Sequence, residues 1–169
     1  MQPSDKLEDL LGIMAVLRNP QDGCPWDLKQ TFSTITSYTI EEAYEVAEAA
    51  ERGDMAALCD ELGDLLLQVA FYAQMAKEDG AFNFDDVVKS ISSKLIRRHP
   101  HIFAEGDAKT ADDVKITWDE IKRKEKGAPE KLLDGVPLAM PALHRAIKLQ
   151  EKASSVGFDW NDPRAVLTK

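Results

Sequence analysis

The chain has 169 residues, enough for one ordinary domain with its own core and part of another. Its formal net charge of −9 argues against a nucleic-acid partner, because binding to backbone phosphates depends on clustered Lys and Arg. No apolar run approaches the roughly 20 residues that span a bilayer, and the N-terminus lacks the basic and apolar regions of a secretory signal. The two cysteines predict no disulfide framework, so we expect a reducing cytoplasm.

Helical periodicity dominates the chain. The first helix is predicted over about residues 6–17, with Asp5 and Glu8 spaced as a capping box. A loop is predicted for RNPQDGCPWD, which is rich in Pro, Gly and Asp. A second helix should end at Gly53, and Asp54 should cap a third. The second to sixth helices are predicted over about 38–52, 55–77, 84–98, 112–126 and 142–153. No alternating pattern is long enough for a sheet, so the predicted class is all-α, an antiparallel helical bundle.

The third predicted helix is apolar around most of its circumference. Such a helix is expected to be buried, either in its own bundle or against a second subunit. Glu61, Asp64 and Gln68 share the one polar sector that remains. The apolar positions are Leu58, Leu62, Leu65, Leu66, Leu67, Val69, Ala70, Phe71 and Ala73.

Two acidic pairs flank the turn between the second and third helices. Glu42 and Glu45 share one helix face, and Glu61 and Asp64 share another. Because the helices are antiparallel and both pairs lie about equally far from the turn, four carboxylates should converge. Their mutual repulsion requires a cation, and oxygen-only ligation favours Mg²⁺ or Mn²⁺. A di-iron bundle would instead carry Glu-x-x-His motifs.

Simpler interpretations of these acidic residues remain open. Glu-rich helices are common, and Glu41, Glu48 and Glu51 can be solvated surface charges. Glu42 can equally complete a capping box with Thr39. The spacing alone is only moderately specific for a metal site.

Basic and aromatic residues later in the chain are candidates for binding phosphate. KLIRRHPHIF supplies Lys94, Arg97 and Arg98, and TWDEIKRKEK supplies Trp118 and Lys122. Arginine suits phosphate through its planar fork, and a Trp beside a Lys offers an apolar wall next to a cation. Taken singly, each such residue is more often a surface charge or a core Trp. Beside an acidic metal site, they are interpreted as the substrate-binding half of one pocket.

Taken together, several stretches resemble the MazG nucleoside triphosphate pyrophosphohydrolases. The stretches are LRNPQDGCPWDLKQTF, YTIEEAYEVAEAA, DELGDLLLQVAFYAQMA, KLIRRHPHIF, TWDEIKRKEK and ALHRAIKLQEKASSVGFDW. The resemblance implies an all-α enzyme that cleaves nucleoside triphosphates to the monophosphate and pyrophosphate. It also implies a requirement for Mg²⁺ and a homodimer with intertwined helices.

The resemblance also implies roles for individual residues. The metal ligands would be Glu42, Glu45, Glu61 and Asp64. Glu41 would be a base or would orient a water. The groups around the phosphates and the base would be Lys94, Arg98, Trp118 and Lys122.

The last stretch resembles the opening of a second MazG-like domain. We therefore expect a MazG-like domain over 1–127, a Pro- and Gly-rich linker over 128–141, and the start of a second, truncated domain over 142–169. Two hypotheses follow. The chain is an active pyrophosphohydrolase, or it is a first domain of low or no activity that serves dimerisation, nucleotide binding or regulation of a catalytic second domain.

Overall fold

The computed structural model describes residues 4–106, 109–126 and 132–158, and all regular structure within them is helical. The all-α class is therefore confirmed. The chain forms two compact units, Met1–Leu95 and Ile96–Lys169. The domain boundaries expected from the sequence stay a prediction. The helices are α1 (Leu7–Leu17), α2 (Pro25–Lys29), α3 (Thr36–Arg52), α4 (Met55–Glu78), α5 (Phe84–Arg98), α6 (Pro100–Phe103), α7 (Ala111–Lys126) and α8 (Ala142–Ser154).

The hairpin of α3 and α4 organises the first unit. Gly53 ends α3 with a φ of 68°, a left-handed conformation that a residue with a Cβ rarely adopts. The Asp54 side chain then accepts a hydrogen bond from the Ala57 amide at 3.1 Å, which caps α4 as predicted. This two-residue turn makes the helices antiparallel. At their far ends, the Tyr72 hydroxyl lies 3.5 Å from Thr36 Oγ1.

The predicted capping box of α1 is wrong, and the box that was left open as an alternative for Thr39 and Glu42 does not form. Lys6 is the N-cap residue of α1, and no side chain caps that helix end, so Asp5 and Glu8 do not form a box. The start of α3 lies two residues earlier than predicted, which places Thr39 inside the helix. The Thr39 hydroxyl donates to the Ile35 carbonyl at 3.1 Å. Glu42 therefore has no capping role.

Two short helices begin at prolines in segments that the sequence predicted as a loop and a helix stop. Pro25 opens α2 within RNPQDGCPWD, and Pro100 opens α6 after His99. Proline at the first helical position costs little, because its missing N–H would have no intrahelical partner there. Because proline is also common in loops, neither short helix was predicted from the sequence.

Reciprocal caps begin α5 and α7. Asn83 Oδ1 accepts from the Asp86 amide at 3.1 Å, and Asp86 Oδ2 accepts from the Asn83 amide at 3.1 Å. Thr110 and Asp113 exchange the same pair of bonds, at 3.2 and 3.0 Å. Both starts agree with the sequence within about one residue. The predicted end of α7 at Gly127 lies outside the described residues.

The core of the first unit lies where α1 and the second half of α4 meet. It is centred on Met14, Ile35, Phe71 and Met75. The first half of α4 differs, since Leu62 is 49% exposed in the single chain. Burial of this helix is therefore confirmed only for its second half.

Arg18 joins α1, α2 and α4. Its Nη2 donates to Glu78 Oε2 at 2.6 Å, and its Nη1 donates to the Asp27 carbonyl at 2.5 Å. The guanidinium carbon lies 5.4 Å from the centroid of the Phe71 ring. Only 9% of the Arg18 side chain is exposed. This arginine therefore fixes the end of α1 against the end of α4.

The second unit contains α6, α7 and α8. His99 packs edge-on against Trp118, with ring centroids 5.2 Å apart. Lys152 of α8 donates to the carbonyls of Leu132 and Asp134 and so binds the preceding turn to the helix. Within the described part of the chain, no helix is both long and apolar enough to cross a membrane.

Candidate functional site

The candidate metal site consists of carboxylates that α3 and α4 bring together. One carboxylate oxygen each from Glu42, Glu45 and Glu61 lies within 4.8 Å of the others. The convergence follows from the antiparallel hairpin, in which positions equally far from the turn lie at the same height. Three of the four carboxylates thus converge as the spacing predicted. Their role as metal ligands stays a prediction.

The fourth carboxylate, Asp64, interacts with this cluster. Burial is the first cause that raises the pKa of Glu42, and the charge of Asp64 is the second. Burial likewise raises the pKa of Glu61, followed by charges that include those of Glu45 and Asp64. Glu41 is exposed, and its charge also raises the pKa of Glu42. The ionised cluster is therefore electrostatically strained in the absence of a cation.

Gln68 supplies a test of whether a hydrated cation fits these residues. It is 8% exposed, and its Oε1 is buried without a hydrogen-bond partner among the described residues. Glu61, Asp64 and Gln68 are spaced to lie on one face of α4. A buried acceptor without a donor is costly, and a metal-bound water is a donor that could satisfy it. The carboxylate oxygens of Glu42, Glu45 and Glu61 are ligands of the kind that Mg²⁺ or Mn²⁺ prefers, so the donor set fits either ion.

An exposed aromatic pair that was not predicted from the sequence joins Trp26 of α2 to Tyr38 of α3, the helix that carries Glu42 and Glu45. The rings of Trp26 and Tyr38 meet edge-on with centroids 5.8 Å apart, and Trp26 is 51% exposed. Tyr38, Glu42 and Glu45 follow the i, i+4, i+7 spacing of one helix face. This helical spacing could have identified Tyr38 from the sequence. Exposed aromatic rings can stack with a planar ligand.

The second unit contains a cavity of about 380 Å³ with cationic and aromatic walls. The Arg98 guanidinium carbon lies 5.9 Å from the centroid of the Trp118 ring. Lys115 was not predicted, although it precedes Trp118 and Lys122 at helical spacing. Three cations around an aromatic ring suit a ligand that carries phosphate. The described lining residues are Arg98, Ala111, Val114, Lys115, Trp118 and Lys122.

Arg97 and Lys94 are not among the described residues that line this cavity. Arg97 is half exposed, and its Nε donates to Glu125 Oε1 at 2.5 Å. Lys94 is half-buried and belongs to the first unit, as do the carboxylates. Arg97, Arg98, Trp118 and Lys122 belong to the second unit. One pocket shared by the acidic and basic groups stays a prediction.

The chain is similar to several known proteins. A family model described as "MazG nucleotide pyrophosphohydrolase domain" matches residues 30–103. A crystal structure of a mazG-related protein from Thermotoga maritima superimposes with a TM-score of 0.57 and 30% identity, over 69% of this chain and 99% of that chain. The chain belongs to the MazG family.

Two longer MazG relatives cover nearly the whole chain. A nucleoside triphosphate pyrophosphohydrolase of Escherichia coli is 49% identical over 167 residues, 98% of this chain and 64% of that protein. A nucleoside triphosphate pyrophosphohydrolase/pyrophosphatase MazG of Thermotoga maritima is 45% identical over 163 residues, 96% and 62% respectively. The chain thus spans less than two thirds of either relative.

The MazG match separates the candidate residues into two groups. It includes all the acidic candidates and the three basic ones on α5. It excludes Trp118 and Lys122, which lie beyond residue 103. The acidic half of the candidate site is therefore part of the matched MazG domain.

Proposed function

We propose that this chain hydrolyses nucleoside triphosphates to a nucleoside monophosphate and pyrophosphate in a Mg²⁺-dependent reaction. The convergence of Glu42, Glu45 and Glu61 within a MazG domain is the observation that carries the proposal. The names of the E. coli and T. maritima relatives support the reaction type.

The acidic residues would hold the metal ion. Glu42, Glu45, Glu61 and Asp64 supply oxygen ligands, and Mn²⁺ could substitute for Mg²⁺. The bound ion would neutralise phosphate charge and lower the pKa of a coordinated water. Glu41 is exposed next to this set and would accept a proton from, or orient, the attacking water.

The basic residues would bind the substrate. Arg98 and Lys122 line the cavity of the second unit and would donate to phosphate oxygens, which stabilises charge on the leaving pyrophosphate. Arg97 and Lys94 would add positive charge on α5. Trp118 would supply an apolar wall beside the nucleotide.

Product analysis tests the reaction directly. The chain is incubated with a panel of nucleoside triphosphates and Mg²⁺, and phosphorus NMR identifies the products. We expect monophosphate and pyrophosphate. Glu42→Gln should lower the rate on the order of 100-fold, as removal of a charge-stabilising group does. Glu51→Gln, an exposed change on the same helix, should not.

Two other results would lead to different functions. Diphosphate with orthophosphate would indicate a different phosphohydrolase. An inactive chain that still binds the triphosphate with Mg²⁺ would favour the alternative function, a first domain that binds nucleotide or regulates a catalytic second domain. This alternative stays open because the chain covers only 64% of the E. coli relative.

We also propose that the chain is a homodimer. Leu62, Leu66 and Val69 follow one stripe of α4 and are 49%, 40% and 37% exposed in the single chain. Such a contiguous apolar stripe is typical of a protein interface. We further propose a cytoplasmic location without a nucleic-acid or membrane partner, which the acidic net charge and the free thiols of Cys24 and Cys59 support.

Light scattering tests the dimer. We expect a mass twice the 18.8 kDa of one chain. Leu66→Asp should produce monomers, because it places a charge in the apolar stripe. Val16→Asp, at an apolar residue of α1 that is 59% exposed, should leave the dimer intact. A folded wild-type monomer at micromolar concentration would contradict the proposal.

A further inference from the structure

Glu125 binds both arginines at the end of α5. Its Oε2 accepts from Arg98 Nη2 at 2.6 Å and from Arg98 Nε at 3.2 Å. Its Oε1 accepts from Arg97 Nε at 2.5 Å. The Glu125 side chain is 17% exposed and the Arg98 side chain 10%. One carboxylate thus bridges two adjacent guanidinium groups and weakens their mutual repulsion, while one positive charge is left uncompensated.

Glu125 also belongs to the helix face that lines the cavity. Lys115, Trp118, Lys122 and Glu125 follow the spacing i, i+3, i+7, i+10 along α7, which is one stripe of a helix. The first three line the cavity together with Arg98. Glu125 therefore holds Arg98 from the end of the same stripe, while Trp118 contacts the guanidinium.

The hydrogen bonds from Arg98 to Glu125 do not use its Nη1 atom. Nε and Nη2 both donate to Glu125. No hydrogen bond joins Arg98 Nη1 to any residue that the structure describes, although Arg98 lines the cavity. An arginine side chain loses much rotamer freedom when it binds a ligand. A guanidinium already held by a carboxylate has lost that freedom beforehand.

We propose that Glu125 is a positioning residue for anion binding. It orients Arg98 against Trp118 so that Nη1 donates to a phosphate oxygen of a ligand in the cavity. The inference rests on the proposed function for its natural ligand, a nucleoside triphosphate. The opposite role would be competition, in which the Glu125 carboxylate occupies the arginines in place of phosphate.

The two roles predict opposite signs when the charge of Glu125 is removed. Glu125→Gln makes the cavity more positive, so Coulomb's law alone predicts tighter binding of an anion. A competing carboxylate predicts tighter binding as well. A positioning carboxylate predicts weaker binding despite the more favourable charge, because the arginine is no longer fixed. The sign of the change therefore decides between the roles.

The experiment measures binding of inorganic tripolyphosphate by calorimetry at low salt, with a chelator to remove divalent ions. We expect Glu125→Gln to raise Kd about 10-fold, the lower end of the loss seen when a group that orients a metal-binding side chain is removed. Glu120→Gln is the matched control, because Glu120 is exposed on the same helix and the change in net charge is identical. Its Kd should stay the same or fall slightly. Tighter binding by Glu125→Gln, or a Kd equal to the control's, would overturn the proposal.

A double-mutant cycle separates positioning from general loss of structure. In an Arg98→Ala background, Glu125→Gln should have little further effect on Kd, because the side chain that it positions is absent. Equal weakening in both backgrounds would mean that Glu125 acts through the fold, which would overturn the proposal. If Glu125→Gln does not fold, Glu125→Asp replaces it. That variant keeps the charge but withdraws the carboxylate by one methylene, and its Kd should also rise.

The outcomes distinguish this inference from the proposed function. Tripolyphosphate binding is measured without turnover, so an inactive chain leaves the test intact. In a chain that is active, Glu125→Gln should raise KM for the triphosphate more than it lowers kcat. Active wild-type protein with an unchanged KM in the variant would overturn only the role of Glu125.

Discussion

The two charged clusters of this chain are balanced in different ways. In the first unit, burial and neighbouring carboxylates raise the pKa values of Glu42 and Glu61. Arg52 opposes this effect on Glu61 but is the smallest of its causes. In the second unit, hydrogen bonds from Arg98 and then Arg97 lower the pKa of Glu125 to about 2. Among the residues that the structure describes, the acidic cluster forms no ion pair, whereas the arginines of the basic cluster share the Glu125 carboxylate.

This difference indicates how each cluster can bind a ligand. An unbalanced acidic cluster gains from a cation, so its ligand is an ion from solution. In the basic cluster the two arginines already share a carboxylate, so a ligand must use the donors that this pairing leaves available. Metal binding should therefore stabilise the acidic site, whereas ligand binding at the basic site should depend on how its arginines are oriented.

The largest expected effect is the gain in stability from metal. Mg²⁺ at about 100 times its Kd should stabilise the wild type by about 2.7 kcal/mol, by mass action. Glu45→Gln should lose most of this gain, because it removes a proposed ligand. Without metal, the same variant should be at least as stable as the wild type, because one repulsive charge is gone. Calorimetric melting with chelator and with Mg²⁺ measures both effects.

Glu51→Gln controls for the change in net charge, since Glu51 is exposed on the same helix. It should retain the full gain from Mg²⁺. Equal gains in the wild type and in Glu45→Gln would mean that the acidic residues are ordinary surface charges.

The next effect concerns a buried and balanced pair. Arg18→Met should destabilise the first unit by about 2 kcal/mol, because it removes a donor from two carbonyls and from Glu78, which keeps its bond from the Gln74 amide. The value is modest because the Glu78 side chain is 32% exposed. Urea unfolding in chelator measures it.

Arg52→Met is the control for that measurement. Its pair with Glu48 is 59% and 68% exposed, so its loss should stay within about 0.5 kcal/mol. If both substitutions cost the same, burial does not distinguish the two pairs.

Local signals in the sequence were sufficient for the hairpin and its acidic cluster. Gly53 and Asp54 fix the turn by their own conformational preferences, and helical spacing then fixes which residues meet. The convergence of Glu45 with Glu61 needs nothing beyond that turn. A similar argument explains why the starts of α5 and α7 could be predicted.

Features that depend on distant contacts could not be predicted in the same way. Glu125 lies 27 residues from Arg98, and no local rule pairs them. An apolar residue such as Leu62 does not reveal whether its own chain or another molecule covers it. Pro25 was interpreted as a loop residue because proline is common both in loops and at the first position of a helix. Its presence alone does not distinguish the two.

The smallest expected effect is the pH dependence of the Glu125 pair. The folded-state pKa of about 2 lies below the ordinary 4.5, so the pair stabilises the fold fully above about pH 4.5. That contribution is lost as the pH falls from 4.5 toward 2, because protonated Glu125 no longer attracts the arginines. The difference in unfolding free energy between the wild type and Glu125→Gln should therefore be constant near neutral pH and shrink in acid.

Urea unfolding from about pH 6 to about pH 3 measures this difference, and the contributions of carboxylates common to both proteins cancel. Glu151→Gln removes the exposed pair with Lys148, and its difference should stay near zero throughout. A Glu125 difference that does not change over this range would mean that the arginines do not hold the carboxylate in its ionised form.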